Sequence, residues 1–303
     1  MKKIIIDTNI LKKEKIQKIM SSKIKDKCGK NIKLYISEVI LKQRLLPLYH
    51  SKYIQDYDYY VDFIKTYCEK DIIDAASEIV KRELKNEFSK TSMYSKYKTS
   101  DIQFLNSPNN KIHTYDVEPQ NNIKISAANN YKSFIKEIIN EIANLKSNED
   151  WKQYCYKFIY KYEFAVSQLT QFIEAHDKFN KGIFMELVKL WWKYATIAGT
   201  LRFFKFPNAD NKAVDIVKNN NIPKNSFLHY QFRADDFIMD YCLVQNKKID
   251  YDAPNDIIYI SCMKDFDILL SDDTKFMKEC FEELYPNKNK QILTLKEFLK
   301  RYG

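Results

Sequence analysis

The sequence predicts an α/β fold: a central parallel sheet flanked by helices, interrupted by a mainly α-helical insertion. Three observations carry this. The first fifty or so residues read β-α-β-α, the pattern of a parallel sheet. The tail beyond about residue 225 reads α-β-α-β-α. The stretch between them is dominated by helical, aromatic segments. The α/β domain is therefore discontinuous, residues 1–55 and 225–303, with the insertion at 56–224.

Residues 3–6 (KIII) form a short buried strand, closed by Asp7, Thr8 and Asn9. A Lys-rich helix from about Ile10 to Ile24 sets Ile10, Leu11, Ile16, Ile19 and Met20 roughly on one face. Residues 33–37 (KLYIS) give a second strand, and Ser37 can cap the helix that begins at Glu38. Residues 57–90 are helical in pattern. Residues 91–128 are a polar loop with one short strand near Lys111–Val117, and 129–205 are helical, with Gly182 marking a helix–helix turn. In the tail, 230–246 is a helix. DAPNDIIYISCM is another, with Asp252 as candidate N-cap and Pro254 near its first turn. FDILLS (266–271) is a buried strand, DTKFMKECFEELY an amphipathic helix, QILTL (291–295) the last strand and KEFLKRY the last helix.

The chain has 303 residues and is 45% hydrophobic, enough to bury a core. The net charge of +10 suits a polyanionic partner, although a Lys-rich solvated surface gives the same number. Cys28, Cys68, Cys155, Cys242, Cys262 and Cys280 lie far apart, without zinc spacing. They suit reduced thiols and a cytoplasmic setting. The N-terminal apolar run is too short for a signal peptide, and no apolar stretch approaches the roughly 18 residues that span a bilayer.

Asp7, Glu38, Asp256 and Asp273 stand at element boundaries. In an open parallel sheet the carboxyl ends of the strands share one edge, where ligands bind. Four ionised carboxylates gathered there need a counter-charge. Mg²⁺ or Mn²⁺ would supply it, preferring carboxylate and water oxygens and leaving room for phosphate. Taken singly, each acid is an ordinary turn former or first-turn helix acid; only the ordered set points to chemistry. The four histidines, His50, His113, His176 and His229, have no nucleophile or carboxylate partner visible in sequence.

IIIDTNIL resembles the opening of PIN-domain nucleases, a hydrophobic strand ending in Asp-(Thr/Ser)-Asn. YISEVIL resembles the family's second strand and helix-borne Glu. DAPNDIIYISCMKDFDILLSDDTKF is similar to its third block, a helix-borne Asp, a strand and then Thr/Ser-x-Asp-x-x-Phe; QILTLKEFL resembles the closing strand and helix. The resemblance covers the two termini only. It implies a PIN-like domain that hydrolyses nucleic acid with Mg²⁺ or Mn²⁺ held by Asp7, Glu38, Asp256 and Asp273. It also implies that Asn9 supports Asp7 and that Ser271 positions the last strand end. Asp252 is either a further ligand or a cap. Asp272 competes with Asp273 as the last acid, and the spacing to Phe276 favours Asp273.

Lys12, Lys13 and Lys15 adjoin Asp7 and are candidate phosphate contacts, or else part of a solvated helix face. The loop SMYSKYKTS mixes Tyr with Lys in a way that suits single strands, or is a surface loop. Trp191 and Trp192 read as core of the insertion. The expected protein is an endoribonuclease acting on single-stranded or structured RNA, in a toxin or defence context. It has no membrane partner, and the insertion offers a surface for a homodimer or a protein partner. A DNA- or flap-type nuclease and a non-catalytic nucleic-acid-binding scaffold remain open.

Overall fold

A run of three isoleucines, Ile4, Ile5 and Ile6, has no polar side to turn to water, and all three are fully buried. A strand with both faces covered reads as continuous rather than alternating hydrophobicity, and this run forms the centre of the sheet. In the computed structural model, residues 1–46, 54–89, 91–106, 133–162, 165–219, 221–245, 247–248, 253–273, 275–287 and 289–303 are described. The chain divides into two compact units: residues 1–79, 91–129 and 250–303, and residues 80–90 and 130–249.

The first unit is α/β. Its parallel sheet comprises β1 (Lys2–Ile6), β2 (Ile32–Tyr35), β5 (Ile268–Leu270) and β6 (Gln291–Leu293), in the order β2-β1-β5-β6. Ile4 registers with Leu34 on one side and with Ile268 on the other. Helices Lys13–Met20, Ile54–Tyr67 and Leu295–Tyr302 contribute to the core around the sheet through Ile16, Ile19, Phe63, Ile64 and Phe298. The closing helix starts at a capping box: Thr294 Oγ1 accepts from Glu297 N at 3.3 Å, and the Glu297 carboxylate accepts from Thr294 N at 2.8 Å.

Two strands stand where the sequence pattern reads helix and loop. β3 (Asp71–Ile73) pairs antiparallel with β4 (Tyr94–Lys98). The parallel bridges Leu34–Cys68 and Ser37–Ile73 lay the β3 segment beside the end of β2. The helix read across 57–90 is thus two helices, Ile54–Tyr67 and Ala76–Lys85, with β3 between them. The first Lys-rich helix is shorter than its apolar pattern, because a 3-10 turn, Thr8–Ile10, follows β1 and the helix begins at Lys13. The strand read near Lys111–Val117 lies outside the described residues.

The second unit is helical. Helix Asn148–Lys161 opens on a Ser147/Asp150 capping box. Asn180 caps helix Lys181–Phe203 by accepting from Ile183 N at 3.1 Å, so Gly182 lies inside that helix rather than in the turn. Phe158, Tyr162, Trp191 and Trp192 pack with Phe134 as an aromatic cluster, with Phe134 and Trp191 stacked at 5.5 Å. Helix Phe227–Met239 belongs here, not with the sheet, so the boundaries at 55 and 225 both move: residues 56–79 join the sheet unit, and 225–249 join the helical unit. The reason is local. Phe227 N and Leu228 N donate to Glu83 at 2.6 and 3.0 Å, tying the start of that helix to another segment of the helical unit.

Candidate active site

The four sheet strands are parallel, so their carboxyl ends share one edge. From β1 the chain moves first to β2 on one side; β5 and β6 then build out from the other side. The order therefore reverses between β1 and β5. A crevice opens at such a switch point, outside the carboxyl ends of the strands. Asp7 ends β1 and Ser271 ends β5.

Three side chains join these ends. Ser271 Oγ donates to Asp7 Oδ2 at 2.7 Å and accepts from Asn9 Nδ2 and from the Asp273 amide, both at 3.0 Å. One donor and two acceptor positions are all a serine hydroxyl has, so Ser271 is fully engaged. Asn9 Nδ2 also donates to Asp7 Oδ2 at 2.5 Å, and Asn9 Oδ1 accepts from Asp272 N at 3.1 Å. Thr8 Oγ1 donates to Asp7 Oδ1 at 3.1 Å. Asp7 is 3% exposed. Burial raises its pKa, and the hydrogen bonds from Ser271, Thr8 and the Asn9 and Thr8 amides offset this only in part.

The adjacent aspartates part company. Asp272 pairs with Lys15 Nζ at 2.6 Å and accepts from Leu295 N at 2.8 Å. Burial alone would raise Asp272, but Lys15 and that amide overcome it and hold the carboxyl below its ordinary value. Asp272 is thus engaged in the fold. Among the described residues Asp273 Oδ1 accepts only a local bond from Lys275 N at 3.2 Å, and its amide is held by Ser271. The Lys15 ammonium binds Asp272 and Asn9 O, the latter at 2.9 Å, and so is already engaged by the fold. Lys13 pairs with Asp56 at 2.7 Å, and Lys12 is exposed.

Glu38 begins the helix after β2 and is 1% exposed. Its Oε2 accepts from Ala75 N at 3.0 Å, and Asp74 Oδ1 accepts from the same amide at 3.0 Å. Asp74 follows β3 and is 2% exposed, and Glu78 on the next helix is 9% exposed. Asp74 thus brings a buried carboxylate beside Glu38 that the sequence reading missed, because it missed β3. Its signal was the repeat of an apolar run closed by Asp: IIID at 4–7 and IID at 72–74.

Asp256 lies in the first turn of helix Ala253–Cys262 and is 7% exposed. Tyr259, one turn on, is buried at 1%. Ser37 Oγ donates to Tyr259 Oη at 3.4 Å. Ser37 makes no side-chain cap bond to the Glu38 helix, which corrects its reading as a cap. Burial first, then the charges of Asp7 and Asp256 among others, push the Tyr259 hydroxyl well above its ordinary pKa, so it stays protonated. Asp252 lies outside the described residues.

Among the described residues no three His, Cys, Asp or Glu side chains stand close enough to hold a metal ion. The acids instead form connected pairs: Asp7 with Asp273 through Ser271, and Glu38 with Asp74 through Ala75 N. The donor set is all hard oxygen, which fits Mg²⁺ or Mn²⁺ and not a thiolate-seeking metal. A groove of about 420 Å³ lined by Phe281, Tyr285, Lys290, Ile292 and Arg301 contains none of these acids. No helix among the described residues is long and apolar enough to cross a membrane. Comparison with known proteins finds no family model, no curated protein and no solved structure that matches the chain.

Proposed function

We propose that the protein is a PIN-type, metal-dependent endoribonuclease whose α/β domain carries a helical insertion. The observation that carries this is the buried Asp7 carboxylate at the switch point, joined through Ser271 and Asn9 to the strand end that bears Asp273. Glu38, Asp74 and Asp256 approach the same edge from β2, β3 and a helix start. A hydrated Mg²⁺ or Mn²⁺ bound there would offset the carboxylate charge and supply an activated water for phosphodiester hydrolysis. Asp7, Asp256 and Asp273 would hold it through its coordinated waters, with Glu38 completing the set or orienting water, since among the described residues no three of these acids stand close enough to ligate one ion directly. Ser271 and Asn9 fix the Asp7 rotamer, as the groups behind a metal ligand do. Exposed Lys12 is the basic residue beside Asp7 left to meet phosphate.

The test is cleavage of end-labelled single-stranded RNA and DNA of matched sequence in Mn²⁺, Mg²⁺ and EDTA, with Asp7→Asn and Asp256→Asn beside the wild type. RNA cleavage abolished by EDTA and by both substitutions is the expected result. DNA cut in preference to RNA would move the proposal to a DNA- or flap-type nuclease. A second reading, a nucleic-acid-binding scaffold that does not cut, is favoured by one observation, the spacing of the acids in pairs. Binding without turnover in Mn²⁺ would select it.

A further inference from the structure

β6 is an edge strand: β5 pairs with it on one side, and among the described residues no strand lies on the other. The register shows which of its main-chain groups are free. Gln291 N donates to Asp267 O, and Leu293 O accepts from Ser271 N, both at 3.0 Å, so Gln291 and Leu293 turn their main chain toward β5. The pairing direction alternates from residue to residue in a parallel ladder, so Ile292 N and O point away from the sheet. An open edge of this kind is a template for another extended chain. All three β6 residues line a groove of about 420 Å³, together with Phe281 of helix Phe276–Leu284 and Tyr285 just beyond that helix. The apolar wall is Phe281, Tyr285, Ile292 and Leu293. The charged groups along it are Lys278, Lys290 and Arg301, against the single acid Glu282.

We infer that this groove binds an extended peptide of alternating apolar and acidic residues, which adds to β6 as a further strand. Ile292 N and O give it main-chain hydrogen bonds, and the apolar wall takes its alternate side chains. The positive excess favours acidic residues on the remaining positions. It also disfavours a second copy of the chain, because a twofold pairing along β6 sets the same three cations against their own images. Nucleic acid suits the sign of the charge but not the way the cations are held. Lys290 Nζ donates to the carbonyls of Met263, Lys264 and Phe266, and Arg301 Nη1 donates to Gln291 Oε1 at 2.6 Å. These cations set the potential of the groove rather than reaching out as phosphate arms. Peptide binding here goes beyond the hydrolysis proposed above and does not depend on it, since none of the strand-end acids lines the groove.

The experiment is fluorescence anisotropy of the full chain with a fluorescein-labelled peptide of alternating Val and Glu, beside a peptide of equal length that alternates Val and Lys. The Val/Glu peptide is expected to bind more tightly by about tenfold or more, as charge complementarity requires. Ile292→Pro removes the outward N–H at an edge position where proline is tolerated. It is expected to weaken the Val/Glu peptide about tenfold, the scale of one lost hydrogen bond. Ile292→Val keeps the N–H and is expected to change binding by less than about threefold. If Ile292→Pro does not fold, the peptide carries the test instead: N-methylation of every second residue should abolish binding in one of its two registers and spare the other. A Val/Glu peptide that binds no better than the Val/Lys peptide overturns the inference. So does binding indifferent both to Ile292→Pro and to N-methylation in either register. A dimer in sedimentation that Ile292→Pro abolishes, with no peptide bound, overturns it in favour of a second copy. Loss of single-stranded RNA binding in Lys278→Glu/Arg301→Glu, with peptide binding unchanged, overturns it in favour of nucleic acid.

Discussion

Glu83 in the helical unit and Asp7 in the sheet unit are both buried carboxylates, at 3% exposure each. Glu83 accepts from two main-chain amides at the start of helix Phe227–Met239. There the helix dipole and the amides answer its charge, and the acid ties two segments of the helical unit together. Asp7 accepts instead from Ser271, Asn9 and Thr8, neutral side chains. Among the described residues no Lys or Arg pairs with it, and burial leaves its pKa raised. A buried acid is therefore not in itself a site. The distinction lies in whether the protein answers the charge, and at Asp7 it supplies hydrogen bonds without a cation.

The largest effect that would sharpen this contrast is on Glu83. Glu83→Ala strands two buried amides and should cost about 3 kcal/mol, read as a fall in the urea midpoint that Mn²⁺ does not alter. A midpoint unmoved by the substitution would remove the contrast. Next comes Asp235 in the helical unit. Burial pushes it up to about 7, with Asp236 adding to the rise and Trp192 and Lys193 opposing it. A folded pKa above the unfolded 3.8 means that the folded state binds the proton more tightly. Its contribution to stability is then fully present below about pH 4 and lost as pH rises through about 7. The melting temperature should fall across that window in the wild type and less steeply in Asp235→Asn; parallel curves would contradict the assignment. The smallest effect separates two lysines. Lys15→Met should cost about 1 kcal/mol by opening its pair with Asp272, whereas Lys12→Ala should leave the melting temperature alone and weaken RNA binding a few-fold. Equal effects of both on RNA affinity would place Lys15 among the phosphate contacts.

β1 and β5 were legible in sequence because strands buried on both faces must be continuous apolar runs, as KIII and FDILL are, while β2 and β6 were legible as short apolar-rich runs next to a helix start. β3 and β4 were not. Asp71–Ile73 offers two apolar residues among charged ones, and Tyr94–Lys98 alternates Tyr with Lys, so pairing rather than pattern defines them. The tail boundary was misplaced because an apolar helix such as Phe227–Met239 does not announce which core it enters. At the site, Asp7, Glu38, Asp256 and Asp273 were readable as strand-end or helix-start acids. The contacts to Lys15 and Leu295 N that set Asp272 apart from Asp273 were not readable. Asp74 went with the missed strand. Tyr259 looks in sequence like any core residue one turn along a helix; its contact with Ser37, 222 positions away, is a product of the fold.

The measurement that bears most directly on the account is the melting temperature of the wild type and Asp7→Asn, each in EDTA and in Mn²⁺. Asparagine keeps the shape and loses the charge. The account predicts that Asp7→Asn melts at or above the wild type in EDTA, that Mn²⁺ raises the wild type, and that it leaves Asp7→Asn where it was. A wild type that Mn²⁺ does not stabilise, or an Asp7→Asn variant that gains as much as the wild type, would show that Asp7 belongs with Glu83 as an acid of the fold.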